Sequence, residues 1–169
     1  FTGDPWGRGA MRHKWGLFSP VVLLLCMVLF GEGCAYFNTF YLAKRNFNNG
    51  ERIRKRDNEV KSDAKKYYDD AIKNASDILQ DYKKSKYVDD SLFMIGMSYY
   101  HFRTPDSYVR ARTKFDELLK AFPKSEYAPD ALYYRARCFM EMDQVDNARI
   151  DLNELVTNGG KSMQGKAGL

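Results

Sequence analysis

A chain that aligns with itself is confined to few architectures, because each copy must form the same local structure and pack on its neighbour in the same way. Displaced by 40 residues, this sequence pairs Tyr68 with Tyr108, Ala71 with Ala111 and Leu79 with Leu119. The match continues through Lys84/Lys124, Ser85/Ser125, Tyr87/Tyr127, Asp90/Asp130 and Leu92/Leu132, giving eight identities in 25 ungapped positions. Ile78/Leu118, Tyr82/Phe122, Phe93/Tyr133 and Tyr99/Phe139 are alike in kind. A further copy follows at an offset of 37, with Ala111/Ala148, Phe115/Leu152 and Leu118/Leu155. The three-residue difference is expected in a loop, since residues 101–108 are longer than their counterpart, 141–145.

Within each copy the apolar residues follow a helical period. Ala64, Tyr67, Tyr68, Ala71, Ala75, Ile78, Leu79 and Tyr82 recur in steps of mostly three and four, as do Ala111, Phe115, Leu118, Leu119 and Phe122. Leu92, Ile95, Gly96, Tyr99 and Tyr100 form the stripe of the helix between them. Pro123 ends one helix, Ser125 is expected to cap the next, and Pro129 is tolerated in its first turn. No stretch alternates with period two for long enough to compete as a strand. The fold is all-α.

Composition narrows the chemistry. The 27 Lys and Arg against 22 Asp and Glu are interleaved along most of the chain, which describes a solvated helical surface and not a nucleic-acid stripe. Two His and three Cys leave little material for a metal site or a nucleophile. His101 has no His or Cys at ligand spacing, and Asp69-Asp70 and Asp89-Asp90 read as helix-start and surface charge. Gly7-Arg8-Gly9 and Gly31-Glu32-Gly33 lack the strand-to-helix setting of a phosphate loop. The expectation is a non-enzymatic protein with no cofactor, no metal, no nucleic-acid partner and no small-molecule substrate.

The first residues carry an address. Met11 is the first plausible start, which leaves residues 1–10 as an upstream or non-native segment. Arg12 and Lys14 precede an apolar run over residues 17–30, followed by Gly31-Glu32-Gly33-Cys34, the order of a secretory signal. Such a run spans ~21 Å as a helix, short of a ~30 Å hydrocarbon core. Gly33-Cys34 behind that run resembles a bacterial lipoprotein signal, over residues 29–34. That resemblance implies a signal peptide over 11–33 and acylation of the Cys34 thiol. Gly31 and Glu32 depart from the usual pattern, and ordinary cleavage leaving a free cysteine is the alternative. After such processing Cys138 would be the only thiol left, in a helical apolar stripe where it serves as a small hydrophobe. Residues 34–59 then form a lead-in helix whose aromatic face (Tyr36, Phe37, Phe40, Tyr41, Phe47) either packs on the first repeat or meets the bilayer surface. Repeats occupy 60–169.

Leu132, Ala136, Phe139, Ala148, Leu152 and Leu155 match the tetratricopeptide spacing, as do Leu92, Gly96, Tyr99, Ala111, Phe115, Leu118 and Pro123 with a longer link. The chain thus resembles the tetratricopeptide family over about residues 61–156, which implies helical hairpins stacked into a right-handed superhelical α-solenoid, with Gly96 and Ala136 where two helices must come close. The segment from Ala121 through Phe122-Pro123-Lys124-Ser125-Glu126-Tyr127-Ala128-Pro129-Asp130 to Leu132 resembles the junctions of BamD-like periplasmic lipoproteins. By that likeness the groove of the array would be walled by Asp90, Phe93, Met97, Tyr100 and His101, then Asp130, Tyr133, Arg137, Met140 and Glu141. It implies a scaffold held by lipid at the periplasmic face of the outer membrane, binding envelope proteins or their peptide segments in outer-membrane protein assembly. A Tol–Pal or peptidoglycan-associated coordinator, and a substrate-recruiting adaptor of an envelope enzyme or transporter, are the alternatives. At an offset of 37 Leu169 aligns with Leu132, where another first helix would begin, so truncation of the array is also expected.

The signal makes one firm prediction. Cys34→Ser is expected to leave the protein as an uncleaved precursor or as a soluble species after lysis. Intact mass and membrane fractionation check this, wild type gaining an acyl mass and sedimenting with membranes.

Overall fold

The computed structural model describes the backbone of residues 20–57 and 62–166 and the side chains of residues 37–57 and 62–157. Among these residues there are six helices and no strand: α1 (Pro20–Asp57), α2 (Ser62–Asp81), α3 (Val88–Phe102), α4 (Pro105–Ala121), α5 (Ala128–Glu141) and α6 (Val145–Lys166). The chain divides into two compact units, Phe1–Ala35 and Tyr36–Leu169. In the first, residues 20–35 are helical; residues 1–19 and the side chain of Cys34, with the signal and lipidation expectations that fall on them, lie outside the described residues. Among the described residues no helix is long and apolar enough to cross a membrane.

In the second unit each helix packs on the next, from α2 through α6, and α3 also meets α5. That alternation is the signature of stacked helical hairpins, and the fold is the all-α, tetratricopeptide-like solenoid that the repeat implied. The hairpin α3–α4 shows why the spacing matters. A Cβ added to Gly96 would lie 2.6 Å from Phe115 Cε1, so only glycine lets the two axes come this close. Phe115 is fully buried and sits beneath Tyr134 of the next hairpin, with ring centroids 6.2 Å apart.

The lead-in helix is itself the first arm of a hairpin. Phe40 and Ala43 join Ala75, Ile78, Met94 and Ile95 in one buried cluster. The register is fixed by two equivalent ring stacks. Phe40 lies on Tyr87 at 3.9 Å and 7°, and Phe93 lies on Tyr127 at 4.7 Å and 18°. Three residues after each of these phenylalanines comes the small residue of the crossing, Ala43 or Gly96; Tyr133 and Ala136 stand in the same relation. There are therefore three hairpins in register.

The length differences between hairpins fall in helix and not in loop, contrary to the sequence expectation for residues 101–108. Arg103, with φ 54°, closes α3, and Thr104 opens α4 through a capping box with Ser107, with Pro105 in the first turn. Only two residues separate these helices. The three extra residues before Ala111, compared with Ala148, are an added turn of α4. Two antiparallel arms can lengthen together at their closed end without disturbing the crossing. Ser125 also plays a different part from the one expected: its Oγ accepts the Tyr127 N–H at 3.2 Å, inside the turn, and α5 begins without a side-chain cap. Pro129 does lie in the first turn of α5.

Gly96→Ala tests the crossing. Alanine ordinarily gains ~1 kcal/mol over glycine in a helix interior. Here the methyl meets a ring that cannot swing away, and a net loss of about 1–3 kcal/mol is expected. A thermal melt measures it, and Phe115→Leu in the same chain should recover part of the loss.

Candidate functional site

The residues expected to wall the groove fall into two groups. On α3, Asp90 is half-buried and accepts the Tyr127 hydroxyl at 2.9 Å. Burial pushes its carboxyl up, an effect the Tyr127 bond opposes. Phe93 is taken up by its stack on Tyr127, and Met97 is buried in the core around Phe115. Tyr100 is half-buried between Tyr134, at 5.1 Å, and Tyr108, at 5.9 Å. His101 is buried. The neighbouring hairpins thus occupy most of what α3 offers.

The α5 group is open. Asp130, Tyr133, Met140 and Glu141 are exposed and Arg137 is half-buried, in steps of three and four that put them on one stripe of the helix. Tyr133 and Met140 keep 38% and 52% of their surface in water, large values for an aromatic ring and a thioether side chain. Arg137 Nη1 donates to the Tyr133 hydroxyl at 3.1 Å, and its guanidinium lies 5.9 Å from that ring, so the two side chains hold each other upright. An aromatic, a methionine and an arginine beside two acids suit a protein partner, since such residues are enriched where protein surfaces meet.

Two polar knots escaped the sequence reading. Glu51, on α1, accepts the Tyr68 hydroxyl at 2.7 Å and Arg54 Nη2 at 2.7 Å. His101 Nε2 lies 2.8 Å from the same carboxylate, off the line of a hydrogen bond. Burial opposes ionisation of Glu51, but contacts from His101, Arg54 and Tyr68 outweigh it and hold the carboxyl well below the usual range. This knot ties α1, α2 and α3 together. At the other side Arg135 donates to Asp151 at 2.7 and 2.8 Å and to Asp116 at 2.9 Å, tying α4, α5 and α6. Neither knot follows from apolar periodicity, because each joins residues on helices whose relative register the sequence does not state.

Among the described residues no group of His, Cys, Asp or Glu is arranged to hold a metal ion. Cys138 is buried, and burial pushes its thiol up to about 12, which makes it an inert core residue at neutral pH. Beside α4, α5 and α6 a cleft of about 440 Å³ has Asp116, Lys120, Arg135 and Glu154 on its walls, a mixture of signs that selects no charged ligand.

Three hairpins crossing at small residues, with an exposed stripe on a first helix, define a tetratricopeptide-class protein. A tetratricopeptide repeat model matches residues 130–158, which cover the third hairpin from Asp130. An outer membrane lipoprotein model, that of the YfiO family, matches residues 44–137, more than half of the chain. The chain belongs to this outer membrane lipoprotein family, and so is a tetratricopeptide lipoprotein of the BamD-like kind. No curated protein matches it.

The Glu51 knot has a signed pH dependence. A carboxyl whose pKa is lowered by folding adds stability above its unfolded pKa, about 4.3, and loses it as pH falls toward the folded value. Glu51→Gln should therefore cost about 1–3 kcal/mol at pH 7, the range for hydrogen bonds to a charged group and for leaving partners unsatisfied. The gap between variant and wild type should narrow as pH drops from about 5 toward 3. Urea denaturation at both ends of that window checks the sign.

Proposed function

We propose that this protein is a non-enzymatic scaffold, anchored through acylated Cys34 on the periplasmic side of the outer membrane, that holds another envelope protein during outer-membrane protein assembly. Its leader over residues 11–33 is removed, and the body over residues 34–169 faces the periplasm. The outer membrane lipoprotein family supports the location, and the tetratricopeptide fold supports the mode of action. The observation that carries the binding role is the α5 stripe of Tyr133, Arg137, Met140 and Glu141. It is rigidly supported from below by Ala136, fully buried, and it is left open above. A stacked array presents such a stripe without having to move, so little ordering entropy opposes binding.

A photo-crosslinker at Met140, with one at exposed Thr113 on α4 as control, tests this in cells. An outer-membrane assembly protein captured at Met140 and not at Thr113 is the expected result. Capture of a peptidoglycan-associated protein would favour the coordinator, and no capture from Met140 would overturn the groove. With the captured partner purified, Met140→Ala with Arg137→Ala should weaken binding by ~2 kcal/mol, a roughly thirtyfold loss, while circular dichroism is unchanged.

A further inference from the structure

The lead-in helix has two sides of opposite character. Phe40, Ala43, Gly50 and Ile53 are buried against α2 and α3. Around the other side Asn38, Tyr41, Arg45 and Arg52 recur in steps of three, four and seven, which puts them on one stripe of α1, with Phe37 at its edge. Phe37 and Tyr41 keep 60% and 56% of their surface in water, more than Tyr133 keeps on α5. The aromatic face of this helix is therefore divided. Phe40 packs on the first repeat, and Phe37 and Tyr41 do not.

Charge follows the same division. Between residues 37 and 56 the exposed charged side chains of α1 are all cations: Lys44, Arg45, Arg52, Lys55 and Arg56. The two acids of this helix are half-buried, Glu51 in the knot with Tyr68 and Asp57 accepting from Arg56 at 2.7 Å. On α4, by contrast, cations and acids pair along the surface, as Arg110 does with Asp106 and Lys114 with Glu117. Exposed rings and cations without an exposed acid fit the boundary of an anionic bilayer, where rings sit at headgroup level and cations meet phosphate.

Position points to the same occupant. Tyr41 follows Phe40 as Met94 follows Phe93, and Met94 is buried because Phe40 and Ala43 of α1 lie against it. In front of Tyr41 stands the lipid attachment instead of a hairpin. Cys34 precedes Phe37 by three residues, a reach of at most ~11 Å, so a lipid on Cys34 keeps this end of the stripe at the bilayer.

We infer that α1 makes a second membrane contact, in which Phe37, Tyr41, Arg45 and Arg52 lie on the surface of an anionic phospholipid bilayer. The two rings enter the headgroup boundary, and the guanidinium groups meet lipid phosphates. This rests on the reading of Cys34 as the anchor and goes beyond it, because a tether alone leaves the body free to turn. A body laid on this side of α1 keeps one orientation and presents the α5 stripe in one direction.

A nitroxide spin label on Asn38→Cys tests the contact in the full chain, returned from detergent to phosphatidylcholine vesicles containing phosphatidylglycerol. Cys138 is buried and does not compete for the label, and the parent chain supplies the background. The label should be shielded from a water-soluble nickel chelate, whereas a label on Thr113→Cys should remain open to it. Phe37→Ser with Tyr41→Ser should abolish the shielding. Arg45→Gln and Arg52→Gln should each shift the ratio of surface-bound to free label about fivefold toward free. All four positions are exposed, and unchanged circular dichroism shows that the fold survives. Equal nickel access at positions 38 and 113, or shielding that the two serines leave intact, would overturn the contact. Shielding that rises with protein concentration at fixed lipid would make a second copy the cover and overturn it too. Intact mass of the same samples decides the anchor separately: an unacylated Cys34 would refute the anchor, while the label still reports whether α1 touches lipid.

Discussion

The close approach of paired helices at Ala43, Gly96 and Ala136 is the constraint on which the rest of the structure depends. At Gly96 the missing Cβ lets the Phe115 ring come up against the backbone of α3, and that ring then becomes the floor on which Tyr134 of the next hairpin rests. Burying such a ring contributes ~1.5–3 kcal/mol. The larger consequence is geometric, because hairpins held apart by a side chain at the crossing would present their stripes at another angle. The ring stacks between hairpins, Phe40 on Tyr87 and Phe93 on Tyr127, would then lose their overlap. Small residues at the crossings thus set the pitch of the described hairpins.

Apolar packing repeats, but the polar ties do not, and this distinguishes one hairpin from another. Glu51, Tyr68 and His101 fasten the first hairpin to α3, while Arg135 fastens the third to α4. Arg135 stands three residues after Leu132, in the register that Ile95 fills in α3. A guanidinium there is tolerated because Asp116 and Asp151 reach it from both sides. Buried ion pairs of this kind add little net stability against an apolar pair, yet mismatching one leaves an uncompensated charge. They work against slipped or exchanged hairpins, which a chain with repeated apolar faces is otherwise free to form.

Exposure rises along the array. The α3 wall is covered by α1 and by the turn bearing Tyr127, whereas the α5 wall and the apolar side of α6 face water. A repeat fold creates this asymmetry without special residues. Each hairpin covers its predecessor, and the last described one has nothing among the described residues to cover it. In a family of outer membrane lipoproteins, a rigid body with open apolar and aromatic surface suits work by contact with other proteins.

Helix content, two of the three crossing residues and the family likeness were legible in the sequence, because they depend on spacing within 30 to 40 residues. Gly96 and Ala136 could be placed by counting, as could the α5 stripe from Asp130 to Glu141. The first hairpin was not legible. Beyond the crossing, α1 runs about two turns further than α3 and α2 about one turn further than α4, so α1 falls outside the 40-residue offset and reads as a separate lead-in. The fates of Met97 and His101, placed on the groove wall by register, were likewise decided only by packing, which takes Met97 into the core around Phe115 and brings Glu51 of α1 to His101. Local periodicity is written in the order of residues along one helix. Which side chains of distant helices meet depends on helix length and crossing angle, and those are settled by packing the whole array at once.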